Sequence, residues 1–434
     1  MSDEQTWFGQ PRGLTVLFLT NMWEQFSYYG MRALLVYYMT KQLLFAQGKA
    51  SLIYGAYTAC AYFTPIIGGV IADRFLGKRR AIIVGASVMA LGHFMMAFES
   101  LLYVALATIA LGNGLFLPSL PSQIGDLYKP ADPRRGWAYN VYYVGINIGG
   151  FLAPLICGTI GEIFGWHYGF AVAGFGMLGG LLIYLSGQRY LPVEPPRQSG
   201  QQRERGRFDR QTILLLLGFG LAVTIFRSAY EQVGNTVALW ADTGIDRNAG
   251  AFAIPMTWFQ SLNPLFVMLM TPPLLANWSK RAANGVDASP ARRMATGAVI
   301  IALAYASLAF VVFSGGSGQA SWLWLALFFV VFTFGELFIL PTGLGLFARL
   351  APAGLGATTV AAWFLIIFTG SLSAGLVGTL WSRMPHDLYF LMLAVLSLCA
   401  AGVLRLLDSP ESALAMRSDR TKPIDISPNG TIIS

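Results

Sequence analysis

Long apolar runs recur along this chain, separated by short polar stretches that carry most of its charge. A helix needs about 20 mainly apolar residues to cross the hydrocarbon of a bilayer. Twelve runs qualify: 14–43, 51–72, 81–98, 101–128, 137–164, 168–185, 211–241, 251–277, 294–313, 322–350, 358–382 and 388–407. The one long polar linker, 192–210, leaves six runs on each side of it. That spacing predicts an all-α membrane protein with twelve transmembrane helices in two six-helix bundles, 1–191 and 211–407, facing each other across a central cavity. The tail 408–434, rich in Ser, Asp, Pro and Asn, reads as disordered.

Charge then orients the bundle. Of the 29 Lys and Arg, 23 fall in the N-terminus, the even-numbered loops and the C-terminus. By the positive-inside rule both termini are expected in the cytoplasm. The formal +8 charge is thereby explained by topology and an anionic inner leaflet, and nucleic acid is not an expected partner. The lipid bilayer is. Compact loops suggest a bacterial inner membrane. With 55% hydrophobic and 12% charged residues, the composition is that of a polytopic membrane protein. Cys60, Cys157 and Cys399 lie in apolar runs without metal-like spacing, so neither disulfides, a metal nor a cofactor is expected. HExxH, GxSxG and P-loop patterns do not occur, and the chain is not read as an enzyme.

The informative residues are the polar ones inside the spans. A charge at membrane depth is costly and normally faces a bundle interior or a wet cavity. Glu24, Tyr28, Tyr29 and Arg32 stand together in span one, Arg227 and Glu231 in span seven, and Glu336 in span ten. Arg227 and Glu231, four residues apart, share a helix face, although Arg before Glu is the weaker order. His93 in span three is read as a satisfied core histidine. Prolines inside spans, such as Pro65, Pro118, Pro154, Pro264 and Pro341, bend helices, as a rocking gate requires.

Between spans two and three, Gly69-Val70-Ile71-Ala72-Asp73-Arg74-Phe75-Leu76-Gly77-Lys78-Arg79-Arg80 resembles the G-x-x-x-D-R-x-x-G-[RK]-[RK] loop of the major facilitator superfamily. Asp73 there can cap or pair across helix ends. Four further segments resemble the proton-dependent oligopeptide transporter family. They are Glu24 to Arg32, Tyr143 to Gly149, Trp258 to Phe266, and Gly335-Glu336-Leu337 with Pro341-Thr342-Gly343-Leu344. Tyr230-Glu231-Gln232 and Trp363-Phe364-Leu365 are shorter matches.

The resemblance implies the major facilitator fold and a secondary transporter of di- or tripeptides, or of peptide-like compounds, by alternating access. It assigns Arg32 to the peptide carboxylate, and Glu336 with Asn147 and Asn263 to the amino group. Tyr28, Tyr29, Tyr62 and Trp363 would be amphipathic walls. Arg32 pairing with Glu336, and Asn147 and Asn263 serving as interhelical hydrogen bonds, stay open as structural alternatives. Glu24, Arg227, Glu231 and Asp73 are candidates for proton coupling or gating.

The chain also departs from the family. The pattern Glu-x-x-Glu-Arg-Phe reads Asn21-Met22-Trp23-Glu24-Gln25-Phe26 here, and Lys-Pro-Asn in span four reads Leu117-Pro118-Ser119. The missing acid, arginine and lysine are the ones that the resemblance ties to proton coupling. Coupling to protons is therefore expected to be altered or absent, with Glu231 and Glu336 as the remaining acids that could carry it.

Overall fold

The computed structural model describes residues 6, 7, 9–129, 132, 134–192, 208–285, 288–315, 318–352 and 355–409. Most of the expected linker and nearly all of the expected tail lie outside these residues. The described chain makes twelve helical passages. In the first half they are α1 (Arg12–Tyr37), α2 (Gln47–Ile71), α3 (Lys78–Met95), α4 (Leu102–Asp126), α5 (Arg134–Ala153) and α6 (Trp166–Gly187). In the second half they are α7 (Arg210–Tyr230), α8 (Leu262–Ala283), α9 (Pro290–Gly315), α10 (Trp322–Glu336), α11 (Gly356–Gly378) and α12 (His386–Leu406).

Each half buries its own apolar core. In the first, α1 packs on α5 and α6, and α4 on α2 and α3. In the second, α9 packs on α10 and α12, and α7 on α11 and α12. Large apolar side chains such as Leu111, Phe175, Leu217 and Phe310 stay on the outside, where acyl chains solvate them. Nine passages among the described residues are long and apolar enough to cross a membrane by composition alone. The other three, α1, α3 and α8, are diluted by their own chemistry: Glu24 and Arg32 in α1, Lys78 to Arg80 opening α3, and Lys280 with Arg281 closing α8.

Local chemistry sets several boundaries. Asp209 caps α7 by accepting a hydrogen bond from the Thr212 amide at 2.9 Å. Gly77 reverses the chain between α2 and α3 at φ 80°, ψ 157°, a region open almost only to glycine. The eighth span corrects the sequence expectation: its helix begins at Leu262 after a 3-10 stretch, Met256–Ser261, and continues to Ala283. Pro255 holds the entry extended, with Phe252–Ala253 upstream pairing as a short strand. At the far end, Lys280 and Arg281 extend the helix because long basic side chains can reach back to the interface.

The halves meet along α2 with α11 and along α5 with α8. Hydrogen bonds between described residues of opposite halves lie in the half of the bundle remote from the basic loops. Tyr37 donates to the Ala238 carbonyl at 2.7 Å, Ser51 to Asn235 Oδ1 at 2.9 Å, and Gln47 to the Gly378 carbonyl at 2.9 Å. Glu162 accepts from the Thr257 amide at 2.9 Å, and Lys41 meets Asp242 at 2.7 Å. This end is closed, and a close helix crossing lets it close. A Cβ on Gly55 would lie 2.4 Å from the Gly375 Cα, so α2 and α11 touch backbone to backbone there.

Gly55→Val is expected to hold this end apart. Spin labels at Leu44 and Leu388, in a background without the native cysteines, should then report a longer distance than in the parent. An unchanged distance distribution would show that the crossing does not control closure.

Candidate functional site

Two helices of the second half break where their carboxylates sit. The first segment of α7 stops at Tyr230, a 3-10 turn spans Glu231–Gly234, and helix resumes at Thr236. The α10 segment ends at Glu336 and restarts at Leu340 with Pro341 in its first turn. Both acids therefore sit at the C-terminal end of a half-helix, the negative end of its dipole. An anion there needs donors or counter-charges, and the two sites supply different kinds.

Glu231, 1% exposed, lies between two guanidinium groups. Its Oε2 meets Nη2 of Arg32 from α1 in the opposite half, and its Oε1 meets Nη2 of Arg227 one turn earlier on α7. Arg32 also donates from Nε to the Tyr54 hydroxyl at 2.7 Å. The Arg227 guanidinium lies 4.9 Å from each of two ring centroids, Tyr62 of α2 and Tyr230. Glu336 is held by neutral donors: the Tyr230 hydroxyl at 2.7 Å and Asn263 Nδ2 at 2.5 Å. Asn263 Nδ2 lies 3.1 Å from Thr333 Oγ1 as well.

Between these two sites lies a cavity of about 50 Å³, lined among others by Tyr29, Arg32, Tyr230, Gln260, Asn263 and Phe332. That is room for a few waters, whereas small-molecule sites run to about 300 Å³ and more. The residues thus come together in a contracted form. Arg32 from the first half and the Glu336 partners from the second face the same space.

The remaining candidates fall in several places. Tyr28 is buried, stacked 6.4 Å from Tyr57 and edge-on to Tyr29. Asn147 spends its amide on the Tyr143 carbonyl of its own helix, at 2.9 Å. Trp363 is 6% exposed and packs on Phe347 and Gly343 within the apolar core, not on the cavity. Glu24 is buried and accepts from Gln25 Nε2 at 2.7 Å, while Asn21 donates to the Tyr142 carbonyl at 3.2 Å. Asp73 is exposed in the turn after α2.

The open alternative of an Arg32–Glu336 pair is not what the structure shows: Arg32 meets Glu231, which the α7 break carries to the α1 side, and Tyr230 and Asn263 occupy Glu336. One expectation is corrected. His93 is fully buried, yet neither ring nitrogen has a hydrogen-bond partner among the described residues, so it is a core histidine without the expected satisfaction. Sequence reasoning missed the roles of Tyr54, Tyr230 and Gln260. Tyr230 precedes Glu231 in the Tyr230-Glu231-Gln232 segment, but nothing in the sequence says that its hydroxyl reaches across to α10.

A family model described as the POT family matches residues 79–204 and 202–392. The chain belongs to the POT family. It is 30% identical to an uncharacterized transporter, YclF, of Bacillus subtilis, over 95% of this chain and 96% of that protein. It is 31% identical to a di-/tripeptide transporter of Lactococcus lactis subsp. cremoris, over 94% and 97%. A crystal structure of a peptide transporter POT in complex with sulfate superposes with a TM-score of 0.86 at 28% identity, over 96% of this chain and 97% of that one. This POT-family chain therefore has the major facilitator fold read from its loop motif.

The two acids should differ in what they contribute to stability. Removing one partner of a buried charged cluster leaves the others uncompensated, so Glu231→Gln is expected to destabilise by about 3 to 5 kcal/mol. Glu336→Gln loses only hydrogen bonds from neutral donors, about 1 to 2 kcal/mol. Thermal unfolding in detergent should rank them in that order, and the reverse order would contradict this assignment of partners.

Proposed function

We propose that this protein carries di- and tripeptides across the inner membrane of a bacterium by alternating access, with both termini in the cytoplasm. The bundles 1–191 and 211–407 are the rocking units, joined by the 192–210 linker. With the basic loops inside, the closed end faces outward and the structure is the form that opens toward the cytoplasm.

The observation that carries this reading is that opposite charges stand on the two sides of one cavity, Arg32 lining it and Glu336 held by the lining residues Tyr230 and Asn263. Arg32 belongs to the first bundle and Glu336 to the second, and a zwitterionic peptide needs one cation for its carboxylate and one anion for its ammonium. Arginine offers the carboxylate a two-pronged donor set. The cavity must widen before a peptide enters, and the peptide carboxylate then competes with Glu231 for Arg32. Tyr29 and Phe332 supply aromatic wall on which side chains of different shape can lie. Asn147 and Trp363 join the ligand only if the bundles reorient.

Coupling to protons is altered. Glu24 keeps a glutamine as its partner, and no arginine stands beside it in α1. Leu117 leaves α4 without a cation at the position that the family resemblance assigns to the cytoplasmic gate. Transport of labelled dialanine into proteoliposomes, with and without an inward proton gradient, tests both parts. Peptide movement that the gradient accelerates little is the expected result. Lack of dialanine movement would overturn the substrate class, and strong gradient-driven accumulation would overturn the altered coupling.

Arg32→Ala separates the ligand contacts. Its affinity loss should be several-fold larger for dialanine than for dialanine amide, whose C-terminus carries no charge, as read by competition binding. Equal losses for the two ligands would remove Arg32 from the carboxylate site.

A further inference from the structure

Glu231 has two cationic partners of different kinds. Arg32 comes from the opposite bundle, is 14% exposed in its side chain and borders the cavity. Arg227 comes from Glu231's own helix and is fixed there: 4% exposed in its side chain, between the Tyr62 and Tyr230 rings, with Nε 3.5 Å from Ser371 Oγ of α11. α11 is shaped around it. A Cβ on Gly370 would stand 2.5 Å from the Arg227 Cβ, so only glycine leaves room for the stem.

These partners respond differently to motion. The Arg32 contact spans the bundles and a ligand carboxylate competes for it, whereas the Arg227 contact is internal to α7 and travels with it. A buried carboxylate that loses its only cation must find another or take up a proton. Here the other cation is already in place. We infer that Arg227 is a resident counter-charge that stays on Glu231 when Arg32 leaves for the peptide, so that this step needs no proton.

The groups that face Glu231 leave few alternatives. α1 contributes Arg32 and the Tyr28 hydroxyl, and α2 contributes Tyr54 and Tyr62. α7 itself contributes Arg227 and Tyr230, and α9 contributes Tyr305, whose hydroxyl donates to the Ala229 carbonyl at 2.6 Å. α10 contributes Glu336, held through Tyr230, and α11 only the Ser371 hydroxyl. On α12, Tyr389 donates to Gln232 at 3.1 Å instead of to the acid. The cations in this set are the two arginines, and Arg227 is the one that does not have to move. It is a positioning residue: it acts on the ligand through Glu231 and does not line the cavity.

The inference rests on the peptide-transport reading, so the test separates the two. Counterflow of labelled dialanine against unlabelled dialanine at equal pH reports peptide movement alone, and its absence in the native protein would count against the substrate class. The pH profile of that counterflow then reports the counter-charge. The native rate should change little from about pH 5.5 to 7.5, whereas Arg227→Gln should become roughly threefold or more faster at the acid end, because Glu231 then takes a proton each time Arg32 leaves. Arg227→Lys, which keeps the charge, should restore the native profile. A flat profile in Arg227→Gln, or an equally steep one in the native protein, would overturn the inference.

A second measurement follows proton uptake directly. Native protein in weak buffer with a pH indicator should take up no proton at Glu231 on binding dialanine. Uptake of about one proton per peptide that Glu231→Gln abolishes would overturn the inference. Uptake that survives Glu231→Gln belongs to another acid and agrees with it.

Discussion

The shared carboxylate of Glu231 is the contact on which the centre of this molecule depends. Charges at membrane depth are tolerated only if they are compensated, and here the Glu231 carboxylate meets one guanidinium on each of its oxygens. The same contact joins the bundles at mid-depth, because Arg32 and Glu231 come from opposite halves. Remote from the basic loops, the Gly55 and Gly375 crossing and the hydrogen bonds of Tyr37, Ser51 and Gln47 continue that closure. Opening this end would mean separating all of them, the Arg32–Glu231 charge pair included.

Helix breaks make this arrangement possible. A continuous α7 would send Glu231 onward along one face, and a continuous α10 would do the same with Glu336. Each break instead leaves an acid at a half-helix terminus; Val233 and Gly234 of the α7 break line the cavity, and the amides of the α10 break bond back to the Thr333, Gly335 and Glu336 carbonyls. The cost of a carboxylate at a negative helix pole is offset by guanidinium groups at one site and by a tyrosine and an asparagine at the other. The two sites are therefore unequal in strength, which leaves one side of the cavity tightly paired and the other loosely paired before a peptide arrives.

Much of this was legible in the sequence. Twelve apolar runs, a polar linker and the Gly69 to Arg80 loop were enough for the fold, because a passage through the bilayer needs a long apolar run. The charges at depth were legible in the sequence: Arg32, Glu231 and Glu336 stand out by the cost of placing a charge there. Their pairing was not. The sequence leaves open whether Arg32 meets Glu336, since it does not say that α7 breaks at Glu231 and turns that acid toward α1. Trp363 read as cavity wall because aromatic residues suit both cavities and cores, and only its contact with Phe347 decides between them. The start of α8 was misplaced because residues 251–255 are as apolar as a span but are held extended by Pro255.

Arg227 shows what a single departure from a family pattern can do. In sequence it is one more basic residue in a span. In the structure it is clamped by two tyrosines and a glycine-lined helix against the acid that links the bundles. If the proposed roles hold, a bound peptide takes Arg32 away from Glu231 while Arg227 remains. An experimental structure of the protein with bound dialanine tests this most directly. The expected result is the peptide carboxylate on Arg32, the Arg32 contact with Glu231 broken and the Arg227 contact kept. A peptide seated in the cavity with Arg32 still on Glu231, or with Arg227 displaced from it, would overturn these roles.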